Sequence, residues 1–141
     1  MQNWKGAPMA KKKQAYRADY FAAADSKDHF GTIYEGMCLN PKYRQLSIGA
    51  RHFYMLCRVQ ARSEQGNRCL YTYANSEGKT FPDNCFVFPS SHQKRFGIDR
   101  RNGSRYFAEL EKSGFIRCVE QNEYRHRPNV YAFDSKWKDS S

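Results

Sequence analysis

The stretch 88-FPSSHQKRFGIDRRNGSRYFAELEKSGFIRCVEQNEYRHRPNVYAF-133 decides the fold, because three local signals follow one another in a fixed order. Ser90, with Gln93 three residues on, has the spacing of a capping box and starts a short helix. Phe96 is expected to be buried. In the Gly97-Ile98 corner, Gly97 permits a positive φ and Ile98 fills the space between two helices. Asp99 is a good N-cap, its carboxylate available to an unpaired backbone amide. The second helix runs from there to Lys112 and stops at Ser113-Gly114, as a glycine in left-handed geometry commonly dictates. Residues 115–120 and 129–133 then read as two strands joined by a basic turn at 121–128.

The two halves of the second helix do different jobs. Phe107 and Leu110, flanked by Ala108 and Glu111, make an apolar stripe toward its rear, whereas Arg100, Arg101, Ser104 and Arg105 crowd its front. The rear packs and the front is free to meet something acidic. Short helix, longer basic helix and strand pair are the layout of a winged helix-turn-helix. The fold class expected is therefore α+β, with a three-helix core, a C-terminal β-hairpin wing and an inserted β-hairpin.

GIDRRNGSRYFAELEKSGFI, residues 97–116, also resembles the recognition-helix segment of bacterial winged helix proteins. There a Gly-Ile corner leads to a capping residue, a basic helix, a Leu-Glu pair and a closing Gly-Phe-Ile. More loosely, residues 30–62, with Leu46-Ser47-Ile48-Gly49-Ala50-Arg51, resemble the first helices of winged helix domains from plasmid replication initiators and mobile-element proteins. The resemblance covers roughly the final third of the chain well. Two positions depart from it: Gly103 stands where an apolar, often β-branched, residue is usual, and Tyr106 where a small one is.

Outward from this unit, residues 1–18 with Lys11-Lys12-Lys13 read as a flexible basic tail, 19–138 as the domain and 139–141 as a frayed end. Residues 30–34 suit a strand, or a lead into a small helix near Met37-Cys38-Leu39, and Asn40-Pro41 breaks whatever precedes it. A helix capped at Ser47 runs from Ile48 to about Arg62. Its wide stripe of Ala50, Phe53, Tyr54, Leu56 and Cys57 places it at the centre of the domain. Residues 63–83 look like an inserted hairpin around Tyr71 and Tyr73, with Phe81 and then Phe86-Val87-Phe88 as its return and an apolar strand of the kind that pairs with the wing in three-stranded winged helix sheets. Trp137 is expected to pack back on the domain.

The chain has 141 residues, enough for one domain with tails. Its 24 Lys and Arg against 14 acidic residues give a formal charge of +10, which favours a polyanionic partner through counterion release. Nothing approaches the roughly 18 apolar residues of a membrane span, and the N-terminus lacks the apolar centre of a secretory signal. The expectation is a cytoplasmic protein with no membrane partner. Five widely spaced cysteines without a Cys-x-x-Cys pair read as reduced thiols, Cys57 and Cys118 as core fillers. Cys69, Cys85 and His92 are the remote alternative as metal ligands, against paired zinc spacing. There is no Gly-rich phosphate loop, nucleophile elbow or His-Glu pair at metal spacing, so neither catalysis nor a cofactor is expected.

Double-stranded DNA needs less. Arg100, Arg101, Asn102, Ser104 and Arg105 are assigned to the major groove. Arg100 or Arg101 would read guanine, and Asn102 could read adenine. Ser90, Ser91, Lys94 and Arg95, with Arg125, His126 and Arg127 at the wing tip, are assigned to backbone contacts. The resemblance implies a role in replication initiation or transcription. The competing readings are a winged helix that grips an acidic protein partner and a small nucleic-acid enzyme. Any homodimer would use the N-terminal helices or the aromatic insertion, since no long coiled-coil helix follows the wing.

Overall fold

The strand pair expected after Gly114 is present, and a third strand joins it. A computed structural model describes residues 31–62, 84–122 and 128–139. The basic tail, the inserted hairpin, and Arg125, His126 and Arg127 lie outside the described residues. The elements are α1 (Glu35–Leu39), α2 (Pro41–Arg44), α3 (Ile48–Arg62), β1 (Cys85–Val87), α4 (Ser90–Arg95), α5 (Arg100–Lys112), β2 (Ile116–Glu120), β3 (Val130–Phe133) and a 3-10 turn (Lys136–Lys138). The sheet is antiparallel with order β1-β3-β2, which with the helices is an α+β arrangement.

Register follows from alternation. Cys85 lies opposite Ala132 and Val87 opposite Val130, while Ile116 faces Phe133 and Cys118 faces Tyr131. Phe86, Ile116 and Tyr131 therefore point into the main core with the helices, and Cys85, Val87, Val130 and Ala132 form a second buried cluster. A bulge between Cys118 and Glu120 inserts Val119.

α3 is the central helix, as its stripe predicts. Ser47 Oγ accepts from the Ala50 amide at 3.1 Å, and Ala50, Phe53, Tyr54, Leu56 and Cys57 are all buried. Phe53 meets Phe88 in a stack at 5.3 Å and Phe107 edge-on at 4.8 Å. Phe107 in turn stacks on Tyr131 at 4.0 Å, which joins α5 to the sheet. Trp137 packs back on the domain, against Phe115 at 5.6 Å.

α4 and α5 end in the same way. Gly97 and Gly114 have φ of 79° and 84°. In each case the next residue's amide reaches back to the helix, from Ile98 to Gln93 O and from Phe115 to Leu110 O. This is the Schellman ending, which satisfies carbonyls a helix end would leave bare and turns an apolar residue inward. Ile98 and Phe115 are those residues.

The structure corrects three expectations. The capping residue of α4 is Pro89, with no side-chain cap bond, and Ser90 is the first helical residue. Gln93 does not complete a capping box. It is buried and its Nε2 donates to Phe88 O at 2.7 Å, satisfying a carbonyl where β1 gives way to α4. Phe96 is 39% exposed, in a T-shaped contact with Phe88, because Ile98 holds the inner side of the corner. A helix not anticipated, α2, begins at the break itself. Asn40 accepts from the Lys42 amide at 2.9 Å and Pro41 takes the first helical position, where its missing N–H costs nothing.

The two departures from the winged helix pattern are each matched by a neighbour. A Cβ at Gly103 would collide with Gln93 Oε1 and lie 3.0 Å from its Cδ, so the glycine lets α5 seat against α4. Oε1 has no conventional donor and lies along a Cα–H of Gly103, a weak contact only glycine offers here. Likewise a Cβ at Gly49 would lie 2.5 Å from Tyr106 Cζ, so the small residue sits on α3 and the large one on α5.

Gly103→Ala is expected to destabilise the domain by about 1 to 3 kcal/mol through overpacking. In a Gln93→Ala background the same change becomes neutral or stabilises by up to about 1 kcal/mol, the helix-propensity gain. Urea denaturation of the four proteins measures the coupling, and an undiminished cost without Gln93 would reject this contact as the reason for the glycine.

Candidate functional site

The front of α5 is held rigidly by its own cap. Asp99 Oδ1 accepts from the Asn102 amide at 2.8 Å, and Asn102 Nδ2 donates to Asp99 Oδ2 at 3.3 Å. Arg105 Nη2 donates to Asn102 Oδ1 at 2.9 Å, and its guanidinium lies 5.3 Å from the Tyr106 ring. Arg105 is thus braced from two sides.

Arg100, Arg101 and Ser104 are exposed, with no hydrogen-bond or ion-pair partner among the described residues. Ser90, Ser91, Lys94 and Arg95 of α4 are exposed as well. Two grooves flank the helix front. Ser90, Ser91 and Lys94 line one with Asp99 and Arg100, at the α4–α5 corner. The other, about 530 Å³, separates Arg100, Ser104 and Glu111 of α5 from Cys118, Gln121 and Asn129. Arg100 borders both.

The far wall of the second groove is pinned at the root of the β2–β3 connection. The Asn122 amide donates to Asn129 Oδ1 at 2.7 Å and Asn122 Nδ2 donates to Pro128 O at 3.2 Å. Sequence reading did not single out Gln121 and Asn129 as groove residues; their position at the strand ends beside a basic turn was the available signal.

The electrostatics of this face follow from how its acids are used. From 90 to 112 there are six cations, Lys94, Arg95, Arg100, Arg101, Arg105 and Lys112, and three carboxylates, Asp99, Glu109 and Glu111. Asp99 caps α5. Glu109 accepts from both the Ser47 amide (2.6 Å) and Ser47 Oγ (2.8 Å), tying α5 to the start of α3. Glu111 accepts from the Cys118 amide at 3.2 Å. Each carboxylate also accepts from an internal donor, and with twice as many cations as carboxylates in this stretch its net charge stays positive.

The described thiols and His92 have structural surroundings. Burial pushes the Cys57 thiol well above its usual range, which keeps it a neutral core filler. Cys118 packs against the main core. Cys85 sits in the outer sheet cluster, His92 bonds Gln60, and Cys69 lies outside the described residues. Among the described residues no three His, Cys, Asp or Glu side chains could share a metal, and no helix is long and apolar enough to cross a membrane. No family model matches the chain, and neither the curated proteins nor the solved structures give a match.

Beneath the basic face, Gln60 Nε2 and His92 Nδ1 meet at 2.9 Å, a buried polar pair between α3 and α4. Burial holds the His92 pKa below its ordinary 6.5, and the nearby Arg95 charge lowers it further. The unfolded chain therefore takes up this proton more readily. The stability His92 contributes is whole above 6.5 and is lost as pH falls through the lower folded value. His92→Gln is expected to flatten the fall in melting temperature below 6.5 relative to wild type. Parallel acid slopes for the two proteins would show that His92 is not the group responsible.

Proposed function

We propose that the chain is a sequence-specific double-stranded DNA-binding protein built as a winged helix-turn-helix, with α4 and α5 as the two helices of the turn and β2–β3 as the wing. The supporting observation is the pair Arg100 and Arg101, exposed and without a partner among the described residues, at the front of a capped, packed helix whose carboxylates accept from internal donors. A helix laid in the major groove can offer arginine bidentately to guanine O6 and N7. Arg100, at the junction of both grooves, and Arg101 are the base readers in this proposal. Ser104 lies one turn behind Arg100, on the same side of the helix.

Asn102 keeps one amide proton and one oxygen lone pair for an adenine edge, while its present bonds brace Arg105 for the groove. Lys94, Arg95 and the hydroxyls of Ser90 and Ser91 fall to the backbone at the corner, and Arg125, His126 and Arg127 to the strand beside the wing. The role is replication initiation or transcriptional control, as in the bacterial and mobile-element proteins the sequence resembles, in the cytoplasm.

Selection of bound duplexes from a random pool tests this. Replacing the base reader, Arg100→Ala or Arg101→Ala, should relax the consensus at one position, a loss of about 1 to 3 kcal/mol of discrimination. Lys94→Ala should leave the consensus unchanged and reduce the log-log salt slope by about one. Salt-insensitive binding, or binding indifferent to both arginines, would transfer the basic face to an acidic protein partner.

A further inference from the structure

A second basic site lies at the other end of the sheet, where β1 and β2 begin and β3 ends. A cavity of about 600 Å³ opens there, a size that suits a small ligand. Arg58 reaches into it from α3. Its guanidinium lies 3.9 Å from the centre of the Phe133 ring, and Nε and Nη2 donate to Tyr54 Oη at 3.0 and 2.8 Å. Burial raises the pKa of Tyr54, so that oxygen remains a neutral phenol.

Arg58 is half-buried and has no carboxylate partner among the described residues. A guanidinium withdrawn from water normally has one. Among the described residues lining the cavity the one acid is Asp134, which uses Oδ1 to accept from the Ser135 and Lys136 amides. Two further cations, Arg117 and Lys138, line the same cavity. Among the described residues three positive groups are gathered against one carboxylate, and the most buried of them is already immobilised, so an anion would find its donor fork preset.

The walls add a second requirement. Tyr34, 66% exposed, and Trp137, stacked on Phe115, present flat aromatic surface beside the cations. Aromatic faces next to arginine suit a base beside its phosphate. A duplex cannot offer that combination, because its base faces are stacked inside.

We propose that this cavity binds a nucleoside monophosphate, either free or as the phosphorylated end of a single strand, with the phosphate on Arg58, Arg117 and Lys138 and the base against Tyr34 or Trp137. The site is separate from the α5 face and does not depend on the duplex-binding reading.

The test uses the full chain carrying Trp4→Phe, which leaves Trp137 as its one tryptophan. AMP, adenosine, inorganic phosphate, and short oligothymidylates with and without a 5′-phosphate are titrated by fluorescence and calorimetry. AMP should saturate and change Trp137 emission, with adenosine and phosphate alone each weaker by about tenfold or more. Arg58→Gln should weaken AMP by about tenfold, and Arg100→Ala should not. Lys138→Ala and Tyr34→Ala, both at exposed positions, should each weaken it several-fold and decide the matter if Arg58→Gln does not fold. A 5′-phosphorylated strand that outbinds AMP identifies a strand end, and equal affinity a free nucleotide; either supports the site. No saturation by any probe at millimolar concentration, or affinity unmoved by Lys138→Ala and Tyr34→Ala, overturns it.

Discussion

Phe53 sits where the central helix meets α5 and the end of β1. From the middle of α3 it touches Phe88 at the end of β1 and both Tyr106 and Phe107 of α5. Phe107 carries the contact on to Tyr131 in the central strand. The orientation of α5 relative to the sheet is therefore set by a short chain of rings, and aromatic pairs have geometric preferences as well as area. The arginines at the front of α5 inherit their direction from that packing. Their own bonds do little to aim them, since Arg100 and Arg101 have none among the described residues.

What the sequence made legible was local. Asp99, Gly97, Gly114 and the stripe on α3 announce themselves through caps, positive φ and periodicity, each readable within a few residues. What it hid was pairwise and distant. Gly103 and Tyr106 look like defects until Gln93 and Gly49 are seen opposite them. Gln93 at capping-box spacing was drawn inward by the Phe88 carbonyl, a choice spacing alone could not reveal. Asn40-Pro41 reads as a helix breaker, yet the same two residues are a cap and a first-turn proline, so one dipeptide both ends α1 and begins α2.

Charge shows the same division. Composition announces an excess of cations, but only the fold says which are free. Glu109 reads as a surface residue and is instead the clamp on Ser47, and Glu111 holds the first strand of the hairpin. These bonds stabilise the domain and fix where the negative charge sits, on a stretch where cations stay in excess. Arg58, Arg117 and Lys138, spread over 80 residues of sequence, had no pattern to betray them; the start of β2 and the end of β3 bring them to one cavity.

The strand order carries a consequence for how the molecule comes into being. The central strand, β3, is the last of the three to leave the ribosome, so β1 and β2 are synthesised as neighbours that have no partner between them. Until Val130–Phe133 arrives, both have open edges, and Phe107 lacks the Tyr131 ring on which it stacks. Whatever the basic helix binds, it is not mounted in its final attitude during translation, and a nascent chain stalled before Val130 would present positive charge without the geometry to aim it.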